Sequence, residues 1–399
     1  MELMTQQTIR AGNLRRIYHL IDSNLSISRA KLAKLTKLSK TTVSSLVDEL
    51  IAGDYVADCG AGITTRQGRK PNILHINGTG NVVAVISWRR NRLDLALVQA
   101  DSKLLLREQV PVQKDEDSVH KILKVFSEVL LPAVGKARLM GVCIVVPGIV
   151  DDGRKSILST VIGVSMTDTT VQRLQEALRD YSLCILNDTA CFAYAESVFT
   201  RIQEQFYAYV NVSKGVGACL FAEGHMLRGA GAMATQFGHF SVDRNGPVCA
   251  CGNRGCLERI VGEYALGERA QVCGVNTELI GRRRLLYSDI GKMAAAGDGA
   301  ARRLIRELAQ DLAFGLSNLI SMFNPSLIII GGTGVNLGAV FLSDVTAALS
   351  HMGFQEFVSH VQLRYSQLGL DSELTGAAQY FIDQHYNFTD DMRGQIFLR

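Results

Sequence analysis

Apolar residues in the first 77 positions have the spacing of short amphipathic helices. One stripe at i, i+3, i+4, i+7 and i+8 consists of Val43, Leu46, Val47, Leu50 and Ile51. This spacing predicts a helix with one buried face, which Ser39 would cap and Gly53 would end. Ser28 would cap a shorter helix that runs to Leu35, and an upstream stripe of Leu14, Ile17, Tyr18 and Ile21 predicts another. Short helices joined by a tight turn are typical of a helix-turn-helix, although a small helical hairpin with a solvated face has the same pattern.

The polar face of the third predicted helix has the composition of a DNA-reading surface. It consists of Ser39, Lys40, Thr41, Thr42, Ser44 and Ser45. Short hydroxyl side chains and a cation suit base edges and phosphates in a major groove. Two short strands around a loop should follow as a wing, and the loop carries the basic residues Arg66, Arg69 and Lys70 before Pro71. This segment is either a minor-groove contact or a solvated linker.

The charge distribution supports the nucleic-acid interpretation. Residues 1–77 contain eleven Lys and Arg against six Asp and Glu, whereas the whole chain has a net charge of +4. The basic excess is therefore confined to the first fifth of the chain. A small basic module on a nearly neutral body is the electrostatic pattern expected of a DNA-binding protein.

After residue 77 the pattern changes to strands that alternate with helices. Residues 92–98 alternate apolar and polar positions and predict a half-buried strand, while 142–146 and 327–330 are apolar runs that predict buried strands. Long amphipathic helices are predicted at about 298–323 and 335–350. This arrangement predicts α/β lobes with a ligand cleft between them. Glycine turns after strands, at 214–217 and 331–334, are either phosphate cradles or plain turns, because neither matches a nucleotide-binding fingerprint.

Three cysteines crowd into the stretch CACGNRGC, at Cys249, Cys251 and Cys256. Their spacing lets three thiolates converge on a metal, with His239 as the natural fourth ligand, and a fully protein-ligated zinc would be structural. The alternative is a turn with reduced, unligated thiols. The other cysteines, among nine in total, fall largely inside apolar segments. Free buried thiols, with no apolar run of membrane-spanning length and no secretory leader, predict a cytoplasmic protein.

These motifs together resemble the ROK family of repressors and sugar kinases, in particular its transcriptional regulators. The resemblance covers about residues 10–385 and rests mainly on the spacing of His239, Cys249, Cys251 and Cys256, followed by Leu257 and Glu258. Further matches are Val146-Pro147-Gly148, Asn187-Asp188, Gly215-Val216-Gly217, Gly238-His239, Gly331-Gly332 and Gly68-Arg69-x-Pro71. The family implies an N-terminal winged helix-turn-helix followed by a two-lobed body with the fold of actin-like ATPases.

The resemblance also implies roles for individual residues. In the kinases of the family, an Asp at the position of Asp188 takes the proton from the attacking sugar hydroxyl, which is general-base chemistry. A helix N-cap is the structural alternative for Asp188. The resemblance implies an effector site that includes Pro147, Gly148, Asn187, Asp188, Gln236, His239 and Glu258. His239 would serve both this site and the zinc.

Departures from the kinase pattern predict a body without kinase activity. The first phosphate-binding stretch of the kinases has an Asp and paired glycines, but here it reads Ala-Val-Ile-Ser-Trp-Arg-Arg-Asn-Arg at residues 84–92. In the second phosphate turn, Val216 and Cys219 replace a hydroxyl residue and a glycine. Gln236 stands where the family has a Glu, which removes a charge that would bind sugar hydroxyls. The loop after Gly153 also lacks an Asn expected as a sugar contact.

The sequence thus predicts a winged helix-turn-helix domain at 1–77, a first α/β lobe at 78–200 and a second lobe at 201–399. The second lobe would contain the zinc loop, and its C-terminal helix would return to the first lobe. The predicted function is repression of carbohydrate uptake or metabolism genes under a sugar or sugar-phosphate effector. Its alternatives are control by a protein partner, such as a sugar-transport component, and an active ATP-dependent sugar kinase. The predicted partners are duplex operator DNA and a second copy of the chain, as a homodimer or homotetramer on a pseudo-palindromic site.

Overall fold

The computed structural model describes residues 6–24, 26–61, 72–151, 154–200, 202–232, 234–278, 281, 283–386 and 396–398. The chain divides into two compact units. Unit 1 comprises residues 1–191 and 374–399, and unit 2 comprises residues 192–373. Among the described helices, none combines the length and the apolar character that a membrane crossing requires.

The N-terminal part of unit 1 has the predicted helices and wing strands. Its elements are α1 (Gln6–Asp22), α2 (Arg29–Thr36), α3 (Lys40–Ala52), β1 (Val56–Ala61) and β2 (Asn72–Ile76). Ser28 and Ser39 cap α2 and α3 by accepting the backbone N–H groups of Lys31 and Thr42. The apolar stripes of α1 and α3 are buried except for Ile51, which is half-buried, and β1 and β2 pair antiparallel. Helix capping and one-sided burial therefore define this module as the sequence predicts.

A mixed sheet forms the rest of unit 1, with the strand order β15-β9-β6-β3-β4-β5. Its strands are β3 (Asn81–Arg89), β4 (Arg92–Gln99), β5 (Leu104–Pro111), β6 (Arg138–Val146), β9 (Leu183–Asn187) and β15 (Ile396–Leu398). A separate hairpin contains β7 (Ile149–Asp151) and β8 (Ser156–Leu158), and the helices are α4 (Ser118–Val125), α5 (Leu131–Ala133) and α6 (Thr170–Ala177), with a π-helical turn at Phe126–Leu130. The next helix, α7 (Asp188–Phe199), begins in unit 1 and continues into unit 2 from Phe192. β3 pairs parallel with β6 and antiparallel with β4, so the ends of β3, β6 and β9 share one edge of the sheet.

Strand β4 is buried on both faces, which differs from the half-buried strand predicted for residues 92–98. Leu93, Leu95 and Leu97 face the main apolar cluster of the unit. The polar position Asp94 on the other face is 4 % exposed. An alternating pattern predicts a solvent-exposed face because an unpaired polar side chain is costly to bury. Asp94 can be buried because three arginine side chains pair with its carboxylate.

Unit 2 has a sheet with the order β12-β11-β10-β13-β14. Its strands are β10 (Phe206–Val212), β11 (Val216–Ala222), β12 (His225–Met226), β13 (Leu327–Gly331) and β14 (Gln362–Tyr365). Its helices are α8 (Leu257–Val261), α9 (Leu266–Cys273), α10 (Tyr287–Ala295), α11 (Gly299–Phe323), α12 (Ala339–Leu349) and α13 (Gln355–Val358), with 3₁₀ turns at Ala230–Ala232, Phe237–His239 and Gly332–Leu337. Each unit therefore has three antiparallel strands that continue into parallel ones.

The helix predicted at 335–350 begins later, at Ala339. Residues 332–337 instead form a 3₁₀ turn, and Gly338 adopts a φ of 85° immediately before the helix. A left-handed residue breaks the helical path at that point, so the apolar pattern of Val335 and Leu337 serves the turn. The helix predicted at 298–323 is confirmed as α11, which Asp298 caps.

The last helix, α14 (Ser372–His385), belongs to unit 1 from Leu374 onward. Phe381 fills the space beside Gly141 of β6, where a Cβ atom would approach the aromatic ring to 2.3 Å. α14 also contacts the N-terminal module, because the hydroxyl of Tyr386 lies 2.7 Å from that of Tyr55. The guanidinium of Arg138, at the start of β6, donates a hydrogen bond to the same Tyr55 hydroxyl. One cluster thus joins β6, α14 and the N-terminal module.

Candidate functional site

The three cysteines and the histidine predicted to bind a metal come together in unit 2. The ligand atoms of His239, Cys249, Cys251 and Cys256 all lie within 4.8 Å of one another. The Sγ atoms of Cys251 and Cys256 are 3.6 Å apart, and Sγ of Cys249 is 3.6 Å from Nδ1 of His239. Three thiols and one imidazole thus converge on one point, as a tetrahedral site requires.

Two glycines allow the loop to turn around this cluster. Gly252 has a φ of 92° and Gly255 a φ of 61°. At Gly255 a Cβ atom would lie 1.7 Å from the carbonyl oxygen of Asp243, so no other residue fits there. Backbone bonds close the loop, among them the one from the N–H of Cys249 to the carbonyl of Asn253 at 2.8 Å. The local backbone therefore holds the thiols in place.

The cluster has the dimensions of a zinc site. A Zn–S bond of about 2.3 Å in a tetrahedron separates two sulfurs by roughly 3.8 Å, close to the observed 3.6 Å between Cys251 and Cys256. A donor set of one histidine and three thiols binds zinc in preference to cations such as Mg²⁺ and Ca²⁺, which require oxygen ligands. These residues can therefore hold a metal ion with all four positions supplied by protein.

Glu258 lies at the edge of the cluster. Its Oε1 is 3.3 Å from Sγ of Cys249 and 3.6 Å from Nδ1 of His239. Its other oxygen limits the space at Gly215, where a Cβ atom would come within 2.9 Å. The structure therefore brings Glu258 and His239 together. Gln236 is exposed, and its backbone carbonyl accepts the N–H of His239 at 3.0 Å.

The predicted effector residues of unit 1 lie where β6 and β9 end. Asn187 donates from Nδ2 to the carbonyl of Gly148 at 2.7 Å, which ties the two turns together. Gly148 has a φ of 143°, and a Cβ atom there would lie 2.4 Å from the carbonyl of Leu158. The carbonyl of Pro147 accepts a bond from the hydroxyl of Ser159. Adjacent parallel strands thus bring these turns to one sheet edge.

Asp188 is the first residue of α7, and its two oxygens have different partners. Oδ1 accepts the N–H of Thr189 at 2.7 Å, while the carboxamide of the preceding Asn187 accepts the N–H of Ala190 at 2.9 Å. Asn187 therefore has the N-cap contact that the sequence also allowed for Asp188. Oδ2 of Asp188 lies 3.4 Å from Nη1 of Arg89. Burial raises the pKa of Asp188, and the charge of Arg89 opposes that rise.

The pairing of Asp188 with Arg89 was missed by sequence reasoning. The two residues are 99 positions apart, and Arg89 was noted only as one of the residues that replace a phosphate loop. The usable signal was the position of Arg89 at the end of β3, since β3, β6 and β9 are parallel neighbours. Residues at the same ends of neighbouring parallel strands lie close together.

The predicted DNA-reading face lies on the exposed side of α3. Ser39, Lys40, Thr41, Thr42 and Ser45 are exposed, and Ser44 is half-buried. The Ser39 hydroxyl lies 2.7 Å from that of Thr41 and 2.8 Å from that of Thr42. Arg29 of α2 donates to the carbonyl of Ser44 at 3.2 Å, which fixes α2 against α3. Arg66, Arg69 and Lys70 lie outside the described residues.

The chain is similar to known repressors and to solved structures of ROK proteins. The xylose repressor of Bacillus subtilis is 25% identical over 387 residues, which cover 96% of this chain and 98% of that protein. A crystal structure of a ROK family transcriptional regulator, a homologue of the Escherichia coli Mlc protein, has a TM-score of 0.81 at 22% identity and covers 95% of this chain and 97% of its own. The ROK hexokinase of Thermus thermophilus has a TM-score of 0.59 at 24% identity, over 75% of this chain and 97% of its own.

The two solved structures cover different shares of this chain. The regulator structure matches nearly the whole chain, whereas the hexokinase matches three quarters of it. The fold is therefore mixed α/β with a ROK-type body of the actin-like ATPase class, and the N-terminal helices fit a helix-turn-helix. The similarity to a repressor along nearly the whole chain confirms the resemblance to the regulator branch. The ROK family model matches residues 86–384, so the chain belongs to the ROK family.

Proposed function

We propose that this protein is a transcriptional repressor of carbohydrate uptake or metabolism genes that a sugar or sugar-phosphate effector controls. The observation that carries the proposal is the capped helix α3, which presents an exposed polar face and is followed by two antiparallel wing strands. This module precedes a body of the sugar-kinase fold in a chain that matches a xylose repressor along its length. A DNA-reading module joined to a sugar-binding fold is the arrangement that such a repressor requires.

In this proposal α3 enters a major groove through Ser39, Lys40, Thr41, Thr42, Ser44 and Ser45. Its hydroxyl groups would meet base edges and its lysine a phosphate. Arg66, Arg69 and Lys70 would contact the neighbouring minor groove or backbone. Replacing both Lys40 and Arg69 with Ala should weaken operator binding and reduce the slope of its salt dependence by about 2, one for each lost phosphate contact. Lys124→Ala on α4, whose side chain is 53% exposed, is the control, and unchanged binding by the double variant would refute this placement.

The effector residues that we propose in unit 1 are Pro147, Gly148, Asn187 and Asp188, and those that we propose in unit 2 are Gln236, His239 and Glu258. Strand β6 gives the first group a route to the N-terminal module, since it starts at Arg138 beside Tyr55 and ends at the turn of Pro147. Nine strand residues span roughly 30 Å. An effector that changes the turn at one end of β6 would thereby bias the contact at the other end.

Zinc is the metal that we propose for His239, Cys249, Cys251 and Cys256. When bound, it would supply a structural crosslink and no open coordination position. The crosslink would order the segment that carries His239 and Glu258. Metal analysis of the purified full-length chain tests this assignment, and a chain that folds with no bound metal while its three thiols are reduced would contradict it.

We further propose that the body has no kinase activity. Arg89 lies 3.4 Å from the oxygen of Asp188 that is not used by the helix backbone. A carboxylate paired with a guanidinium is a weak acceptor for a sugar proton. The stretch before Arg89 also offers Trp88 where an approach of phosphate to backbone needs glycine. Phosphorylation of a hexose by ATP at an ordinary enzymatic rate would overturn this assignment.

A regulator that responds to a protein partner, such as a sugar-transport component, is the second candidate function. The observation that favours it is the exposed Gln236, which replaces a charged sugar contact of the family. Calorimetry with a panel of hexoses, pentoses and amino sugars separates the two candidates, because the first requires binding of at least one of them. We also propose a cytoplasmic homodimer or homotetramer, since two modules are needed to bind a pseudo-palindromic site tightly. Light scattering of the full chain with and without operator DNA tests that state.

A further inference from the structure

We infer that Cys251 and Cys256 form an oxidation site, at which a peroxide converts the two thiolates into a disulfide and thereby removes them as metal ligands. The inference rests on the proposed function, which assigns zinc to the cluster that contains both residues. It adds the pair of ligands that reacts and the chemical class of the reactant, a small peroxide.

Exposure to solvent distinguishes Cys251 from the other two thiols of the cluster. Cys251 is exposed, whereas Cys249 is 3% and Cys256 is 0% exposed. The neighbouring residues 250 and 252–254 are exposed as well. A metal-bound cysteine is held as the thiolate, which is the form that a peroxide oxidises, and its susceptibility then follows its exposure. A small oxidant from solvent should therefore react at Cys251 first.

Cys256 is the thiol that the geometry offers to an oxidised Cys251. Their Sγ atoms are 3.6 Å apart, and a disulfide bond is about 2.05 Å long, so the sulfurs must approach by roughly 1.5 Å. The Cys251 side can move, because a Cβ atom at the adjacent Gly252 would have no neighbour within 4 Å. The Cys256 side is held, because Cys256 immediately precedes α8 and the N–H of Leu257 donates to the carbonyl of Phe240 at 2.9 Å.

The oxidation balances in two steps when the peroxide is hydrogen peroxide. The Cys251 thiolate attacks one peroxide oxygen, the O–O bond breaks, a sulfenic acid forms and hydroxide leaves. The Cys256 thiolate then attacks the Cys251 sulfur, the S–S bond forms and a second hydroxide leaves. Two protons from solvent convert both hydroxides to water. The two sulfurs together lose two electrons, which the peroxide accepts.

The disulfide would leave His239 and Cys249 as the remaining ligands of the cluster. Two ligands do not complete a structural zinc site, so zinc should dissociate. Glu258 should then lose its fixed position, because its Oε1 lies 3.3 Å from Sγ of Cys249 and 3.6 Å from Nδ1 of His239. The effector response should fall with the metal, whereas operator binding without effector should persist, because α3 lies in unit 1 and the cluster in unit 2.

Titration of the zinc-loaded full-length chain with hydrogen peroxide tests the inference. A colorimetric chelator measures the zinc that is released, and mass spectrometry of unreduced peptides identifies the cysteines that are joined. Cys59→Ser removes the other exposed cysteine among the nine, all of which lie in described residues, and it should release zinc as the parent does. Cys251→His keeps four zinc ligands but cannot form the disulfide. We expect this variant to release zinc at least ten times more slowly.

The expected product is a peptide pair joined through Cys251 and Cys256, with about one zinc ion released per disulfide. A thiol reductant followed by zinc should restore the metal content. Because the peptide map of the Cys59→Ser chain identifies the reacting pair by itself, the test holds even if Cys251→His binds no zinc.

Three results would overturn the inference: retention of zinc and free thiols by Cys59→Ser under peroxide, a disulfide between other cysteines, or equally fast release from a zinc-loaded Cys251→His chain. A parent chain that contains no zinc would refute the zinc assignment and the inference together. Operator binding by the untreated chain is measured separately, and its absence would instead refute the proposed repressor function.

Discussion

The hydroxyl oxygens of Tyr55 and Tyr386 lie 2.7 Å apart although 331 residues separate them in the chain. Tyr55 follows α3, the helix that we propose reads DNA, and Tyr386 follows the C-terminal helix α14. The two rings meet edge to face at 5.6 Å, and Arg138 lies over the Tyr55 ring at 4.8 Å. The contact therefore joins the N-terminal module to the start of β6 and to the end of α14.

Tyr386→Phe should remove the hydrogen bond and leave the aromatic contact. We expect a loss of about 1 kcal/mol in the free energy of unfolding, the usual contribution of one such bond. We also expect the effector to shift operator affinity by a smaller factor, because the contact at the end of β6 is loosened. Denaturant unfolding and operator titrations with and without effector measure both. Tyr181→Phe, in which the half-buried ring packs on Phe126, is the control, and an unchanged effector response in Tyr386→Phe would refute the coupling.

A second contact between α1 and α14 should make stability depend on pH. Burial, and then the charge of Asp383, raise the pKa of Asp22 to about 6. The hydrogen bond to Asp383 raises the pKa of His19. Both folded groups hold a proton that the unfolded chain has already released, so stability should fall as pH rises from about 4 through 6 for Asp22, and above 6.5 through the folded pKa for His19.

Asp22→Asn should therefore raise the melting temperature at pH 7.5 and leave it almost unchanged at pH 4. Asparagine keeps an oxygen for the bond from Gln379, which is 3.2 Å long in the protein, and it removes the charge that burial opposes. The exposed Asp115→Asn is the control for loss of one charge. An Asp22→Asn variant that is less stable than the parent at pH 7.5 would show that the charge of Asp22 stabilises the contact.

Metal removal tests the cysteine cluster. The full-length chain should contain about one zinc ion per chain, and Cys256→Ser should lose it because the cluster then has three ligands and one weak donor. We expect the effector response to disappear together with the zinc, while operator binding without effector stays within about threefold. Cys273→Ser, which changes a buried thiol beside Glu307, should retain the metal. Retention of zinc by Cys256→Ser would exclude Cys256 as a ligand.

The cap of α3 offers a local test of the DNA-reading face. Ser39→Ala removes the bond to the N–H of Thr42, which is 3.0 Å long, and the hydroxyl contacts to Thr41 and Thr42. Loss of an N-cap usually costs about 1 kcal/mol, so thermal unfolding should occur at a lower temperature and operator affinity should fall. Ser28 caps the shorter α2. Ser28→Ala should therefore lower stability with a smaller loss of DNA affinity. Equal DNA affinities for the parent and Ser39→Ala would remove Ser39 from the interface.

Local chemistry made much of this fold predictable. Ser28 and Ser39 cap the helices that follow them, and Gly53 ends α3, because each of these effects depends on neighbours a few residues away. The metal cluster was predictable for the same reason, since its cysteines lie within eight residues. The strands β6 and β13 followed from the apolar runs at 142–146 and 327–330.

Contacts between distant segments were not predictable from one sequence. The partners of Asp188 and Tyr55 are 99 and 331 residues away, and no pattern of period two or 3.6 records such a distance. The burial of Asp94 was missed because two of its three arginine partners, Arg89 and Arg107, lie on the neighbouring strands β3 and β5. The start of α12 was missed because the conformation of Gly338 interrupts an apolar pattern that continues through it.

We propose that carbohydrate controls the binding of this protein to DNA. Selection of genomic fragments by the purified full-length chain, sequenced with and without neutral and anionic sugars, measures that control. We expect pseudo-palindromic fragments next to carbohydrate uptake or metabolism genes, and a tenfold or greater loss of their enrichment with one class of sugar. No enriched fragment, or enrichment that no sugar changes, would refute carbohydrate control of DNA binding.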